Sequence, residues 1–84
     1  MKKYNLSQHA KDVLKEREIS IEWLERVLFN PELTEADSED NELEHRLGRI
    51  SEYGNRALRV VLNKELKPIK IVTVYFDRKK KDKL

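Results

Sequence analysis

At Pro31 the hydrophobic period of this chain changes, and that change limits the folds open to it. Before Pro31 the apolar residues recur every three or four positions; after it they fall in short runs rich in Ile, Val, Leu and Tyr. Ala10, Val13 and Leu14 form one helical stripe behind Ser7, whose hydroxyl suits the N-cap of a helix from about Gln8 to Arg17. Ser20 stands in the same relation to Trp23, Leu24, Val27 and Leu28, with Ile19 and Leu24 at the two positions of a hydrophobic staple. Pro31 pushes Asn30 out of helical geometry and ends the second helix. Residues 44–53, 56–63 and 68–77 read as strands, and Leu33 to Glu35 as a short edge strand. Helices followed by strands imply an α+β fold, two N-terminal helices packed on an antiparallel sheet of three to four strands. A chain of 84 residues supports one core, so the reading is a single domain over 1–84 with a basic tail from about 78.

The hairpin register decides which side chains meet. Gly54-Asn55 fits a two-residue turn, which pairs Tyr53 with Arg56 and sets Leu47, Arg49 and Ser51 opposite Leu62, Val60 and Leu58. In that register Leu58, Val60 and Leu62, with Val72, Val74 and Phe76, face the helices. The opposite face carries Ile50, Val61, Ile71 and Thr73 and, among them, Arg46, Arg59 and Tyr75. A slip of one residue would move Arg46 to the other face from Arg59.

Charge and composition narrow the function classes. The chain has no cysteine, which excludes disulfides and thiolate metal sites and suits a reducing interior. No apolar run approaches the roughly 18–20 residues of a membrane span, and Met1-Lys2-Lys3 is not followed by the apolar stretch of a signal peptide. The expected location is cytoplasmic, with no membrane contact. His9 and His45 make no metal-ligand spacing, and Gly48 and Gly54 are too few for a glycine-rich phosphate loop, so neither a metal nor a cofactor is expected. The net charge of +2 conceals a division: residues 32–44 hold seven acidic residues and no basic one, leaving 18 basic against 9 acidic elsewhere. That remainder can attract a polyanion, or serve solubility alone.

His9-Ala10, Arg17, Ile19-Ser20, Asn30-Pro31, Arg46, the Leu58-Arg59-Val60-Val61 stretch and Val72-Thr73-Val74-Tyr75 occur in an order that resembles the domain-of-unknown-function family 4258, a branch related to the RelE/ParE toxin superfamily and similar to the BrnT toxins. The resemblance covers residues 5–78, with two departures. Val13 stands where the family's helix carries its first arginine, and Glu18 where it carries a glycine. The resemblance implies a RelE-like fold. It also implies the toxin of a type II toxin–antitoxin system, a ribosome-associated mRNA endoribonuclease whose partners are mRNA, the ribosome and a cognate antitoxin. The alternative is a non-catalytic RNA- or protein-binding module on the same fold, which Val13 favours. The oligomeric state is left open.

RNA cleavage by 2′-hydroxyl attack needs a proton acceptor, cations to stabilise the phosphorane and a donor to the leaving oxygen. Arg46 and Arg59 are the candidates for the cationic task, because a guanidinium stays charged and matches phosphate in two places. The competing account makes both of them salt bridges across the sheet. His9 is the acid/base candidate by residue type, against a reading in which it packs beside Val13 and bonds a loop carbonyl. Tyr75 offers a hydroxyl or a stacking face. Arg17, Arg49, Arg78, Lys79 and Lys80 are the candidates for RNA-backbone contacts, whereas Trp23 at helical spacing reads as core and His45 chiefly as structural.

Overall fold

The computed structural model describes residues 3–80 and 84. Its elements run β1 (Tyr4–Leu6), α1 (Gln8–Glu16), α2 (Ile21–Phe29), β2 (Leu33–Ala36), β3 (Leu43–Ile50), a 3-10 turn (Ser51–Tyr53), β4 (Arg56–Asn63) and β5 (Ile69–Phe76). The strands form one sheet in the order β1-β5-β4-β3-β2. The α+β class and the two N-terminal helices are as expected, but the sheet has five strands rather than three to four. It is also mixed rather than antiparallel, because β1 runs parallel to β5. A three-residue strand of sequence Tyr-Asn-Leu is too short to show a period of two, so it escaped the pattern.

Both serine caps form. The Ser7 hydroxyl accepts from the Ala10 amide at 3.0 Å and donates to the Val72 carbonyl at 2.7 Å, while the Ser7 amide donates to Ile71 O at 2.9 Å. One residue thus caps α1 and ties its start to β5. Ser20 accepts from the Glu22 amide at 3.0 Å and opens α2. α1 closes with Ile19 N–H on Leu14 O and Glu18 N–H on Lys15 O, the paired bonds of a Schellman ending. That ending puts Glu18 at φ 54, in the left-handed region.

The helices lie together on one face of the sheet. Ala10, Leu14, Ile19, Leu24, Val27 and Leu28 meet Ile50, Leu58, Val60, Leu62, Ile71 and Val74 in one buried cluster. Each fully buried Leu or Ile there contributes roughly 1.5–3 kcal/mol of transfer free energy. α2 crosses β3 at Gly48, where a Cβ would meet Val27 Cγ2 at 3.2 Å. The outer face is half-covered without a helix: Leu47, Ala57, Val61 and Arg59 are buried there.

The β3–β4 register differs from the expected one by three residues. Ser51–Tyr53 leave the strand as a 3-10 turn, followed by Gly54 at φ 67 and Asn55 at φ 56, and the first pair of the ladder is Ile50 with Arg56. An odd shift exchanges the faces of one strand relative to the other. Ile50 therefore lies in the helix-side core, and Arg46 lies on the helix side, opposite Val60, rather than beside Arg59. In β5 a bulge pairs Val61 with Thr73 and Leu62 with Ile71, leaving Val72 unpaired. Ile71, not Val72, takes the core position.

Candidate functional site

Four of the seven arginines are held by carboxylates, and the structure shows why. Arg59 is the deepest, 7% exposed on the outer face. Its Nε and Nη2 donate to Asp77 Oδ2 at 3.0 and 2.7 Å, and its Nη1 donates to Glu35 Oε1 at 3.3 Å and to His45 Nδ1 at 2.7 Å. A guanidinium has only donors, so His45 Nδ1 must present a lone pair. The ring is then the Nε2–H tautomer, and Nε2 donates to Asp37 Oδ1 at 2.7 Å. Lys80 extends the network from the far side, its Nζ 2.9 Å from Glu35 Oε2.

These bonds set the charge states. Burial lowers the Arg59 pKa, but its bonds to Asp77, the field of Tyr75 and the bond to Glu35 outweigh it, and the net shift is upward. Burial pushes Asp77 up, and the bonds from Arg59 and the Lys79 amide pull it below the ordinary value. The Lys80 hydrogen bond holds Glu35 low, and the His45 bond with the Glu39 and Asp40 amides holds Asp37 low. Arg59 is thus committed to the sheet, as the salt-bridge reading has it. Arg46 is committed too: Nε donates to Glu44 Oε2 and Nη1 to the Leu28 carbonyl, both at 2.8 Å, which closes the C-terminal end of α2. Arg49 is bonded to Glu32 at 3.2 Å, and Arg26 grips Glu52 with both nitrogens at 2.8 and 2.7 Å.

The other three arginines, Arg17, Arg56 and Arg78, are exposed, have no carboxylate partner among the described residues, and line the same cleft. Its volume is about 780 Å³. It forms because β1 pairs only with Ile69 to Ile71, so the outer edge of β5 beyond Ile71 carries no strand among the described residues. α1 runs beside that edge and brings His9 and Arg17 to the cleft, β5 brings Tyr75, and the turn before β4 brings Tyr53 and Arg56. Asp77 is the one carboxylate on the lining, and Arg59 neutralises it. His9 and Arg17, eight positions apart and roughly 12 Å along the helix axis, share this one elongated surface.

Of the residues singled out in the sequence, His9, Arg17, Tyr75 and Arg78 come together here. Arg46, Arg49, Arg59 and Lys80 do not, being held by carboxylates elsewhere. Lys79 is exposed outside the lining, its amide bonded to Asp77 Oδ1 at 2.9 Å, and positions 81–83 of the basic tail lie outside the described residues. Sequence reasoning missed Arg56 and Tyr53. Their signal was present: an arginine and an aromatic flanking a Gly-Asn turn. Among the described residues no group of His and carboxylates is placed to hold a metal ion, and no helix is long and apolar enough to cross a membrane.

Fold and cleft together define a small α+β domain, two helices over a five-stranded mixed sheet, in which the three arginines without a carboxylate partner among the described residues line one cleft along the edge of β5. The model of the family described as a domain of unknown function, DUF4258, matches residues 6–76, and the chain belongs to that family. No curated protein and no solved structure matches the chain.

Proposed function

We propose that the cleft binds the phosphodiester backbone of RNA and that the chain cuts it, as a RelE-like endoribonuclease and the toxin of a toxin–antitoxin pair. The observation that carries this is the segregation of the arginines: every one that lacks a carboxylate partner among the described residues lines a single cleft, with a histidine and two tyrosines beside it. Guanidinium groups spread along an elongated surface suit a polymer of phosphates better than one small anion. In the cut, His9 accepts the 2′-hydroxyl proton as the 2′-oxygen bonds to phosphorus. An arginine of the cleft neutralises the phosphorane while the others hold neighbouring phosphates, and the Tyr75 hydroxyl gives a proton to the departing 5′-oxygen as the P–O5′ bond breaks. The products are a 2′,3′-cyclic phosphate and a 5′-hydroxyl. Kinship with the RelE/ParE and BrnT toxins belongs to this reading, as do mRNA on the ribosome as the substrate and a cognate antitoxin that would cover the cleft with acidic groups.

A second reading, an RNA-binding module without catalysis, is favoured by one feature: His9 has no hydrogen-bonded partner among the described residues to orient its ring. Labelled mRNA incubated with the protein, with and without ribosomes, separates the two. The enzyme reading expects 5′-hydroxyl fragments from the parent, a folded His9→Ala variant that binds but does not cut, and weakened binding in Arg17→Gln and Arg78→Gln. Binding without fragments in either setting would establish the module instead.

A further inference from the structure

Arg56 enters β4 directly after the Gly54-Asn55 turn, and its guanidinium carbon lies 4.6 Å from the centre of the Tyr53 ring, over its face. Tyr53 is backed by Trp23 and Phe76, with ring centres 5.5 and 5.0 Å away, and both of those pack against the buried core. The turn that carries Tyr53 is fixed to α2 by the two-pronged Arg26–Glu52 pair. Tyr53 is 42% exposed and Arg56 is exposed.

A ring holds an arginine differently from a carboxylate. A carboxylate partner would fix the side chain by consuming its N–H groups, as at Arg59; an aromatic ring restrains it and leaves every N–H free. A guanidinium so placed offers a planar cationic surface on which a nucleobase can stack, and an N–H edge for a neighbouring phosphate or base oxygen. In a duplex both faces of each base are already covered, so such a platform engages only unstacked bases. Arg17 and Arg78 line the same cleft and are its remaining cations for the backbone.

We propose that the Tyr53–Arg56 stack is a nucleobase subsite that makes the cleft selective for single-stranded over double-stranded RNA. The proposal rests on the RNA reading above and goes beyond it by naming the form of RNA and the residues that choose it. Tyr53 acts through Arg56, by holding it in place.

The test compares a short single-stranded RNA with the same strand annealed to its complement, at equal salt, using the full chain and the variants Arg56→Lys and Tyr53→Ala. Binding is followed by the emission of Trp23, the only tryptophan in the chain and a neighbour of the Tyr53 ring. Arg56→Lys keeps the charge and removes the plane, and it sits on the surface, so it reports even where Tyr53→Ala fails to fold. The expected result is a parent that prefers the single strand, and a loss of about tenfold in single-strand affinity in either variant. Arg56→Lys should leave the salt dependence unchanged. Single-strand binding by folded Arg56→Lys as tight as the parent's, or equal parent affinity for both forms, overturns the subsite and leaves the RNA reading standing. A parent that binds neither form overturns both.

Discussion

Arg59 is bonded to three side chains drawn from three other strands or their ends: Asp77, Glu35 and His45. An arginine inside an apolar strand reads in one dimension as an exposed functional group, because its partners lie 14 to 24 positions away. Its network makes a testable demand on acid stability. Asp77, Glu35 and Asp37 hold their protons less readily than ordinary carboxyls, and Glu52, fixed by its bonds to Arg26, its own backbone and Ser51, falls from 4.5 to about 2. A carboxyl with a depressed folded pKa binds fewer protons folded than unfolded. Its contribution is fully present above the unfolded value and is lost as the pH falls through the folded one. Urea midpoints should therefore fall steadily as the pH drops from about 4.5 to about 2. A midpoint unchanged down to about pH 2.5 would mean that these ion pairs add nothing to stability.

At the scale of the elements, the end of α1 is strained where the helices were easiest to foresee. Glu18 stands at the left-handed position of a Schellman ending, φ 54, where a glycine carries no steric penalty. Glu18→Gly should raise stability by up to about 1 kcal/mol, the left-handed penalty less glycine's added unfolded-state entropy, read as a higher urea midpoint at unchanged slope. An unchanged or lower midpoint would show that the Glu18 side chain supplies something the backbone account omits. Both helices and four of the five strands were legible in the sequence because Ser7, Ser20, Pro31 and the Ile/Val/Leu-rich runs are local signals. The hairpin register was not. Gly54 and Asn55 do take positive φ, as a two-residue turn requires, but the three residues before them leave the strand. What draws them away is tertiary: Glu52 reaches Arg26 on α2, and Tyr53 joins Trp23 and Phe76. For the site this mattered at one residue above all, since the three-residue shift carried Arg46 to the helix side, where it closes α2. The cleft itself was half-visible, as His9, Arg17, Tyr75 and Arg78, because residue type suggested them; that they share a surface depends on how far β1 extends along β5.

Across the whole molecule the charge division in the sequence becomes a division in space. The acidic stretch 32–44 forms β2 and the turn into β3 at one edge of the sheet, whereas the cleft follows β5 on the other side of β4 and β3. Three strand spacings separate β2 from β5, roughly 14 Å. That exceeds the Debye length of about 8 Å at physiological ionic strength, so the exposed acidic turn is screened from a ligand in the cleft, while Glu35 of β2 is already bonded to Arg59 and Lys80. RNA affinity should then depend on the local cations and very little on the acidic turn. Neutralising that turn with Glu39→Gln, Asp40→Asn and Glu42→Gln, all exposed, is expected to change affinity by less than about twofold near 0.15 M salt. Removing a cation from the cleft is a different matter. Arg17→Gln and Arg78→Gln should each flatten the plot of log affinity against log salt by about 0.7, the amount one lost phosphate contact on a single strand predicts. Titrations at several salt concentrations decide the point. Equal effects from the acidic turn and the cleft would place the RNA somewhere between them, and an unaltered slope in both arginine variants would remove the polyanion from the cleft altogether.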